Sequence, residues 1–140
     1  MLYKDFLKDL AYCPFCQPMR RVIVQEQNAF LTYSLAPYHK HHLLVIPNNH
    51  VEQFQDLTSQ ETQSIEKLLH KWVNLLSSLG YKDYTILVKN GERVGKSIGH
   101  LHYHIVPVVM IGDLDHFGQE REVMSEKEIA ELLDEFQRYL

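Results

Sequence analysis

Residues 100–106 read His-Leu-His-Tyr-His-Ile-Val, so a histidine stands at every second position of an otherwise largely apolar segment. Side chains of a β-strand alternate between its two faces, and this pattern therefore predicts a strand with all three histidines on one face. The intervening residues then point into the core. A strand rises about 3.3 Å per residue, which places neighbouring imidazoles about 6–7 Å apart. Three neighbouring histidines without a function would destabilise the fold, because charged rings repel one another and buried rings need polar partners.

Three interpretations of this histidine row are open. It is a solvated polar face, or an all-histidine metal site such as a catalytic zinc site in which bound water attacks, or a site in which the middle imidazole, His102, is a nucleophile. The loop before the row favours the nucleophile. Gly95, Lys96, Ser97 and Gly99 offer exposed amides, an ammonium group and a hydroxyl, all of which suit a phosphate.

The order of elements along the rest of the chain predicts an α+β fold with a mainly antiparallel sheet. Thr58 and Glu61 form a capping-box pattern at the start of a long amphipathic helix over residues 58–79, and Gly80 ends it. The predicted strands are residues 21–27, 29–34, 42–46, 84–89 and 101–109.

We expect residues 1–140 to form a single domain. It includes an N-terminal helical segment, residues 1–12, and a C-terminal tail and helix, residues 111–140. The last helix begins at Ser125, which forms a second capping-box pattern with Glu128. Helical spacing predicts that its apolar face is buried. That face consists of Ile129, Leu132, Leu133 and Phe136.

The composition excludes several functional classes. The formal net charge of −4 argues against a general nucleic-acid-binding protein, which normally has a basic face. No apolar run approaches the roughly 20 residues that span a bilayer, and the first ten residues alternate charged with apolar types, unlike a secretory signal. We therefore expect a cytoplasmic protein without membrane partners.

Cys13 and Cys16 are the only cysteines and are separated by two residues. Such a pair suits two ligands of a tetrahedral zinc ion, a thioredoxin-type redox pair or simple structural thiols. A redox pair usually follows a strand and opens a helix, whereas this pair follows a predicted helix and precedes a strand. This order of elements disfavours the redox pair and leaves a zinc site and structural thiols open.

Three segments together resemble the histidine triad (HIT) family, over about residues 13–110. Residues 100–106 look like its motif His-φ-His-φ-His-φ-φ, in which φ is apolar. Asn90-Gly91, followed by Gly-Lys-Ser-Ile at residues 95–98, looks like its Asn-Gly…Gly-Gln-Ser-Val loop. Residues 42–50, His-Leu-Leu-Val-Ile-Pro-Asn-Asn-His, look like its His-x-Leu-Val-Ile-Pro-x-x-His segment.

The resemblance implies an antiparallel sheet with two helices, usually in a homodimer whose sheet continues across the interface. It also implies a nucleotide hydrolase or transferase acting on adenosine phosphoramidate or diadenosine polyphosphate substrates. His102 would attack the α-phosphorus, and water would hydrolyse the phosphohistidine. His104 would donate to a non-bridging oxygen, and His42 would belong to the histidine cluster around the nucleophile. The rival interpretation is a nucleotide-binding or scaffolding module with little turnover.

The resemblance also assigns the nucleotide contacts. Ser97 and nearby amides would hold the phosphate, and Asn90 would contact the phosphate or the ribose. The family often has an acidic ribose partner eight positions before the residue matching His42, and here Ser34 stands there, followed by Leu35. Lys96 replaces the common glutamine. A lysine at this position would favour a more anionic leaving group such as a polyphosphate.

In triad proteins that carry the cysteine pair, the other two zinc ligands match His50 and His100. The resemblance therefore implies a structural, four-coordinate zinc ion bound by Cys13, Cys16, His50 and His100. Bound there, the ion would fix His100 and with it the strand that presents His102.

Overall fold

The computed structural model describes residues 1–112 and 121–139. These residues fall into two compact units, Met1–Val109 and Met110–Leu140. Residues 113–120 and 140 of the predicted C-terminal tail lie outside the described residues. Within the described ranges, every helix is too short or too polar to cross a membrane.

The first unit is built on a five-stranded sheet in which all neighbouring strands are antiparallel, in the order β1-β2-β3-β5-β4. The predicted α+β class is therefore confirmed. The strands are β1 Val24–Gln25, β2 Ala29–Tyr33, β3 Leu43–Pro47, β4 Tyr84–Val88 and β5 Tyr103–Pro107.

The pairing of β3 with β5 brings together two segments that the sequence keeps sixty residues apart. Leu44 lies opposite His104 on one side of β5, and Leu87 of β4 lies opposite it on the other. Ile105 and Val106 are completely buried, because β5 lies between β3 and β4. The last triad histidine is thus held by hydrogen-bonded strands on both sides.

Two α-helices of the first unit, α1 Tyr3–Lys8 and α2 Ser59–Ser78, accompany its sheet. The described part of the second unit contains α3 Glu126–Gln137. The predicted capping box of α2 is confirmed, because Thr58 Oγ1 accepts from the Glu61 amide and the Glu61 carboxylate accepts from the Thr58 amide. Gly80 follows the helix with φ +95°, a conformation that glycine adopts without strain. The apolar face of α2 packs on one face of the sheet in a single core cluster. Its fully buried members are Ala29, Leu31, Val45, Ile65, Leu68, Leu76 and Ile105.

Two of the strand predictions are too long by several residues. The strand predicted over residues 21–27 is only Val24–Gln25, and the strand predicted over 101–109 is Tyr103–Pro107. The Leu101 amide donates to the carbonyl of Val51 in the loop after β3, so this part of the chain leaves the ladder. His100 and His102 therefore lie in the segment that leads into β5.

The capping box of α3 is also confirmed, between Ser125 and Glu128. The prediction that this helix buries its apolar face is wrong: Leu133 is 59% exposed and Phe136 is 55% exposed. Ile129 and Leu132 are half-buried. Periodicity predicts which side chains share a face, but burial also needs a second apolar surface against that face.

Candidate functional site

The second and third histidines of the row lie side by side, His102 directly before β5 and His104 within it. The ring centroids of His102 and His104 are 4.9 Å apart. The ring of Phe15 lies 5.2 Å from that of His102. His102 is buried, with 7% of its surface exposed.

The hydrogen bond of His102 fixes its tautomer. Its Nδ1 lies 2.8 Å from the backbone carbonyl oxygen of His100, and because a carbonyl only accepts, Nδ1 must donate. The neutral ring then has its lone pair on Nε2. This is the nitrogen that can act as a nucleophile.

A backbone amide sets the tautomers of His42 and His104 in sequence. The Tyr38 N–H donates to His42 Nδ1 at 3.1 Å, so the proton of the neutral His42 ring is on Nε2. This Nε2–H donates to His104 Nδ1 at 2.9 Å, which leaves the His104 proton on its own Nε2. His104 is therefore a hydrogen-bond donor while it stays neutral.

Burial keeps these three rings neutral at pH 7. It lowers the pKa of His42 to about 4, helped by the charge of a protonated His102. Burial also lowers the pKa of His104 to about 3, with smaller contributions from His102, His42 and Lys89. The pKa of His102 is lowered by burial, partly offset by its bond to the His100 carbonyl, and lowered further by Lys96 and Lys89. A neutral His102 is the nucleophilic form.

His102 and His104 line an open cavity of about 380 Å³. Ser34 and Leu35, predicted as nucleotide contacts, line the same cavity, as does Ile98 of the loop before the row. A second, largely apolar cavity shares Leu35 and Phe15 with the first. The two cavities therefore adjoin along these shared residues.

The loop between β4 and the histidine row is tied to the segment after β3. Asn90 accepts from the Phe54 amide at 2.7 Å and donates to the side chain of Gln53 at 2.9 Å. The Lys96 ammonium group donates to the Glu52 carbonyl. Both side chains therefore shape the loop, and the roles predicted for Asn90 and Lys96 toward a nucleotide stay predictions.

Cys13, Cys16, His50 and His100 lie close enough to hold a metal ion, with one ligand atom from each within 4.8 Å of all the others. The Sγ–Nδ1 distances are 3.5 Å from Cys13 to His100, 3.4 Å from Cys16 to His50 and 3.5 Å from Cys16 to His100. A tetrahedral zinc ion with ordinary bond lengths would separate sulfur and nitrogen ligands by about 3.6 Å. The donor atoms therefore fit such an ion.

The tautomer of His100 also suits a metal ligand. Its Nε2 lies 2.8 Å from the Pro47 carbonyl oxygen and must donate to it, which leaves the lone pair on Nδ1, the atom beside both sulfurs. An outer hydrogen bond of this kind is typical of a metal-binding histidine. The carbonyl of this same residue holds His102, so the cysteine–histidine cluster and the nucleophile candidate share one residue.

Sequence reasoning missed three residues of this site. Tyr38 stacks on His42 at 5.6 Å and supplies the amide that fixes its tautomer. Phe15 contacts both His100 and His102. Tyr3 lines the cavity beside the histidines. The position of Phe15 inside the cysteine pair was a usable signal, whereas nothing in the pattern pointed to Tyr3 or Tyr38.

An antiparallel sheet with one long helix on its face and a row of histidines leading into an interior strand, β5, defines the class of protein. Residues 17–109 match the HIT domain family, and the chain belongs to it. The predicted family is thereby confirmed.

Several relatives show how far the likeness extends. The adenosine 5'-monophosphoramidase of Schizosaccharomyces pombe is 30% identical over 100 residues, 68% of this chain and 73% of that protein. An uncharacterized HIT-like protein of Methanocaldococcus jannaschii is 28% identical over 86% of this chain and 98% of its own length. The bifunctional bis(5'-adenosyl)-triphosphatase/adenylylsulfatase of Arabidopsis thaliana is 27% identical over 84% of this chain and 66% of its own length.

Solved structures share the fold at lower identity. The histidine triad nucleotide-binding protein of Candida albicans superposes with a TM-score of 0.75 at 17% identity, covering 91% of this chain and 96% of that one. A HIT family protein of Bacillus anthracis superposes with a TM-score of 0.69 at 19% identity, covering 94% and 97%.

Proposed function

We propose that this protein is a nucleotide hydrolase or nucleotidyl transferase in which His102 attacks the α-phosphorus of an adenylate-like substrate. The observation that carries the proposal is the orientation of His102: its Nδ1 donates to a carbonyl, so the Nε2 lone pair is free in a ring that lines the cavity. A neutral imidazole of this kind is a competent nucleophile at pH 7.

Attack by Nε2 forms a nitrogen–phosphorus bond while the bond from phosphorus to the leaving group breaks. The leaving group takes the electron pair of that bond. The His104 Nε2–H donates to a non-bridging oxygen, where negative charge grows in the transition state. Water then attacks the phosphohistidine, which releases the nucleoside monophosphate and restores His102. In a transferase, another acceptor takes the place of water.

The loop before the histidine row supplies the phosphate contacts in this proposal. Ser97, Lys96 and the neighbouring amides hold the phosphate, and Asn90 supports the same end of the site. Ser34 and Leu35 line the cavity where the nucleoside would lie. The lysine favours substrates whose leaving group is a polyphosphate.

The names of two relatives point to the same substrate class, because one is an adenosine 5'-monophosphoramidase and another a bis(5'-adenosyl)-triphosphatase. We accordingly propose adenosine phosphoramidate or diadenosine polyphosphate as the substrate type. The second candidate function is a nucleotide-binding or scaffolding module with little turnover. The intact row of three histidines, with compatible tautomers, favours the enzyme.

Zinc is part of the proposal as a structural ion. Two thiolates and two imidazoles form a closed tetrahedral set that leaves no position for substrate. Cys13, Cys16, His50 and His100 would hold the ion, which would rigidify the chain on both sides of Phe15 and at the start of the histidine row. We further propose a cytoplasmic homodimer without nucleic-acid or membrane partners.

The proposal is tested by turnover and by trapping of the intermediate. We expect the wild-type protein to release AMP from adenosine phosphoramidate or a diadenosine polyphosphate, and His102→Ala to lose most of this activity while keeping its fold. His70→Gln is the matched control, because His70 is an exposed histidine on α2. A phosphohistidine found on His100 or His104 would contradict the assignment, and tight nucleotide binding without turnover would favour the binding module.

A further inference from the structure

A hydrogen bond joins the N-terminal helix to the loop before the histidine row. The Tyr3 hydroxyl lies 2.9 Å from Ser97 Oγ, although the two residues are 94 positions apart in the sequence. Ser97 is a phosphate contact in the proposed function. The bond therefore connects α1 directly to the part of the site where a phosphate would bind.

Tyr3 belongs to the wall of the cavity and not only to the surface of the helix. Its ring stacks on Phe6, with the centroids 6.1 Å apart and the planes 17° from parallel. Both rings line the same cavity as His102 and His104. Because α1 precedes residues 17–109, this wall comes from outside the part of the chain that matches the family.

We propose that Tyr3 is a positioning residue that orients the Ser97 hydroxyl toward a substrate phosphate. The Tyr3 hydroxyl donates to Ser97 Oγ, and the proton of Ser97 is then directed to a phosphate oxygen. This inference rests on the proposed function, since it needs a nucleotide phosphate beside His102.

The chemistry of the serine hydroxyl gives the reason. A serine hydroxyl has one proton and two lone pairs, and its proton rotates to whichever acceptor is available. A donor on one of the two lone pairs fixes the orientation of the hydroxyl and leaves its proton for an acceptor. The phenol also polarises the Ser97 O–H bond, because hydrogen bonds in a chain strengthen one another. The gain is largest when negative charge grows on the phosphate oxygens in the transition state.

The test is a double-mutant cycle on Tyr3 and Ser97, with kcat and KM measured for adenosine phosphoramidate. Tyr3→Phe keeps the ring, its stacking on Phe6 and the cavity wall, and removes only the hydroxyl. We expect this variant to lose about three- to tenfold in kcat/KM, shared between a lower kcat and a higher KM, as for one neutral hydrogen bond to a phosphate that is bound before and during the reaction. In the Ser97→Ala background, Tyr3→Phe should cause no further loss.

Tyr12→Phe is the matched control, because Tyr12 is 77% exposed in the same N-terminal segment, and it should behave as wild type. Two results would overturn the inference. One is wild-type kcat/KM in Tyr3→Phe. The other is an equal loss from Tyr3→Phe in the presence and absence of the Ser97 hydroxyl, which is what a purely structural role of the phenol predicts.

The same cycle measured on AMP affinity separates this inference from the proposed function. If the wild-type protein shows no turnover, the proposed function fails, and AMP binding by calorimetry still reports on the two hydroxyls. Weaker AMP binding in Tyr3→Phe that disappears in the Ser97→Ala background supports the positioning role. Unchanged or additive AMP affinities overturn it.

Discussion

His104 shows how one backbone amide can determine the chemistry of a side chain two contacts away. The Tyr38 N–H places the His42 proton on Nε2. Because this proton is donated to His104 Nδ1, the proton of His104 lies on its Nε2. Burial keeps both rings neutral, so the relay does not depend on a positive charge. At the scale of single residues, the site is therefore a set of neutral imidazoles with defined donors and acceptors.

We expect the free energy of unfolding to fall as the pH drops from about 6.5 to about 4, because His42 and His104 titrate near 6.5 only in the unfolded chain. Above this range the two rings are neutral in both the folded and the unfolded chain, so they add no pH dependence to the free energy of unfolding. Within it the unfolded chain takes up protons while the folded chain stays neutral, since the folded-state pKa values are about 4 and 3. Urea midpoints between about pH 7.5 and 5 measure the effect.

His42→Gln removes one of these titrations, so the decline of its urea midpoint should be shallower than that of the wild type. His70→Gln, which removes an exposed histidine, should decline in parallel with the wild type. The zinc content of each sample is measured alongside, so that loss of metal is counted separately. A His42→Gln slope equal to the wild-type slope would show that His42 does not contribute.

Ser34 is the residue at which selectivity for the sugar should differ from that of relatives with an acidic residue there. A hydrogen bond to a charged group contributes about 1.5–3 kcal/mol, against about 0.5–1.5 kcal/mol for a neutral one. We expect Ser34→Asp to raise discrimination between ribose and deoxyribose substrates by roughly tenfold in kcat/KM. If the wild type already discriminates strongly and the variant does not differ, Ser34 does not contact the ribose.

At the scale of elements, the segment that carries the cysteine pair is fastened to the end of β3 by more than the metal-ligand cluster. Arg20 donates through Nε to the Phe15 carbonyl at 2.9 Å and through Nη2 to the Asn48 carbonyl. Its guanidinium group also lies 4.5 Å from the centroid of the Phe30 ring. These contacts hold the cysteines near His50 and His100 independently of any ion.

We expect about one zinc ion per chain and a simultaneous loss of zinc and thermal stability in Cys13→Ser, because a serine hydroxyl does not replace a thiolate ligand. The fall in melting temperature should amount to several degrees, and acid should release the metal as the thiolates become protonated. Elemental analysis and calorimetry measure both quantities, with His70→Gln as a control outside the cluster. A metal-free preparation with full activity and normal stability would exclude a structural zinc ion.

At the scale of the whole molecule, the exposed sheet edge at β4 is the surface at which we expect a second copy of the chain to bind. β4 is the last strand in the sheet order, and Tyr84 and Ile86 on it are 44% and 42% exposed. With Leu69 and Val73 of α2, these two residues line a groove at the sheet edge. Continuation of the sheet across β4 would pair this edge and cover the groove.

We expect the protein to be a homodimer at micromolar concentration and Ile86→Lys to shift it toward the monomer, because a charge in an apolar interface is costly. Val123→Lys places the same charge at an apolar residue that is 96% exposed outside the sheet, and it should leave the dimer intact. Light scattering gives the masses of all three proteins. A stable wild-type monomer at this concentration would exclude the homodimer.

The sequence by itself determined the elements whose signals are local. The capping boxes at Thr58 and Ser125 predicted two helix starts that the structure confirms. Alternation in residues 100–106 predicted a strand that carries all three histidines, but only His104 lies in β5. The resemblance of three short segments to the HIT family was sufficient to predict the fold class. Strand faces, helix periodicity and caps all depend on residues within a few positions of one another, and a single chain displays them completely.

Only the tertiary structure decided which distant groups meet. The pairing of β3 with β5 brings His42 to His104, and the approach of the N-terminal helix brings Tyr3 to Ser97. The exposure of Leu133 and Phe136 on α3 likewise could not be read from their helical spacing. The physical reason is common to these cases: hydrogen bonds and burial between remote residues depend on strand order and on the path of loops, for which the local pattern carries no signal.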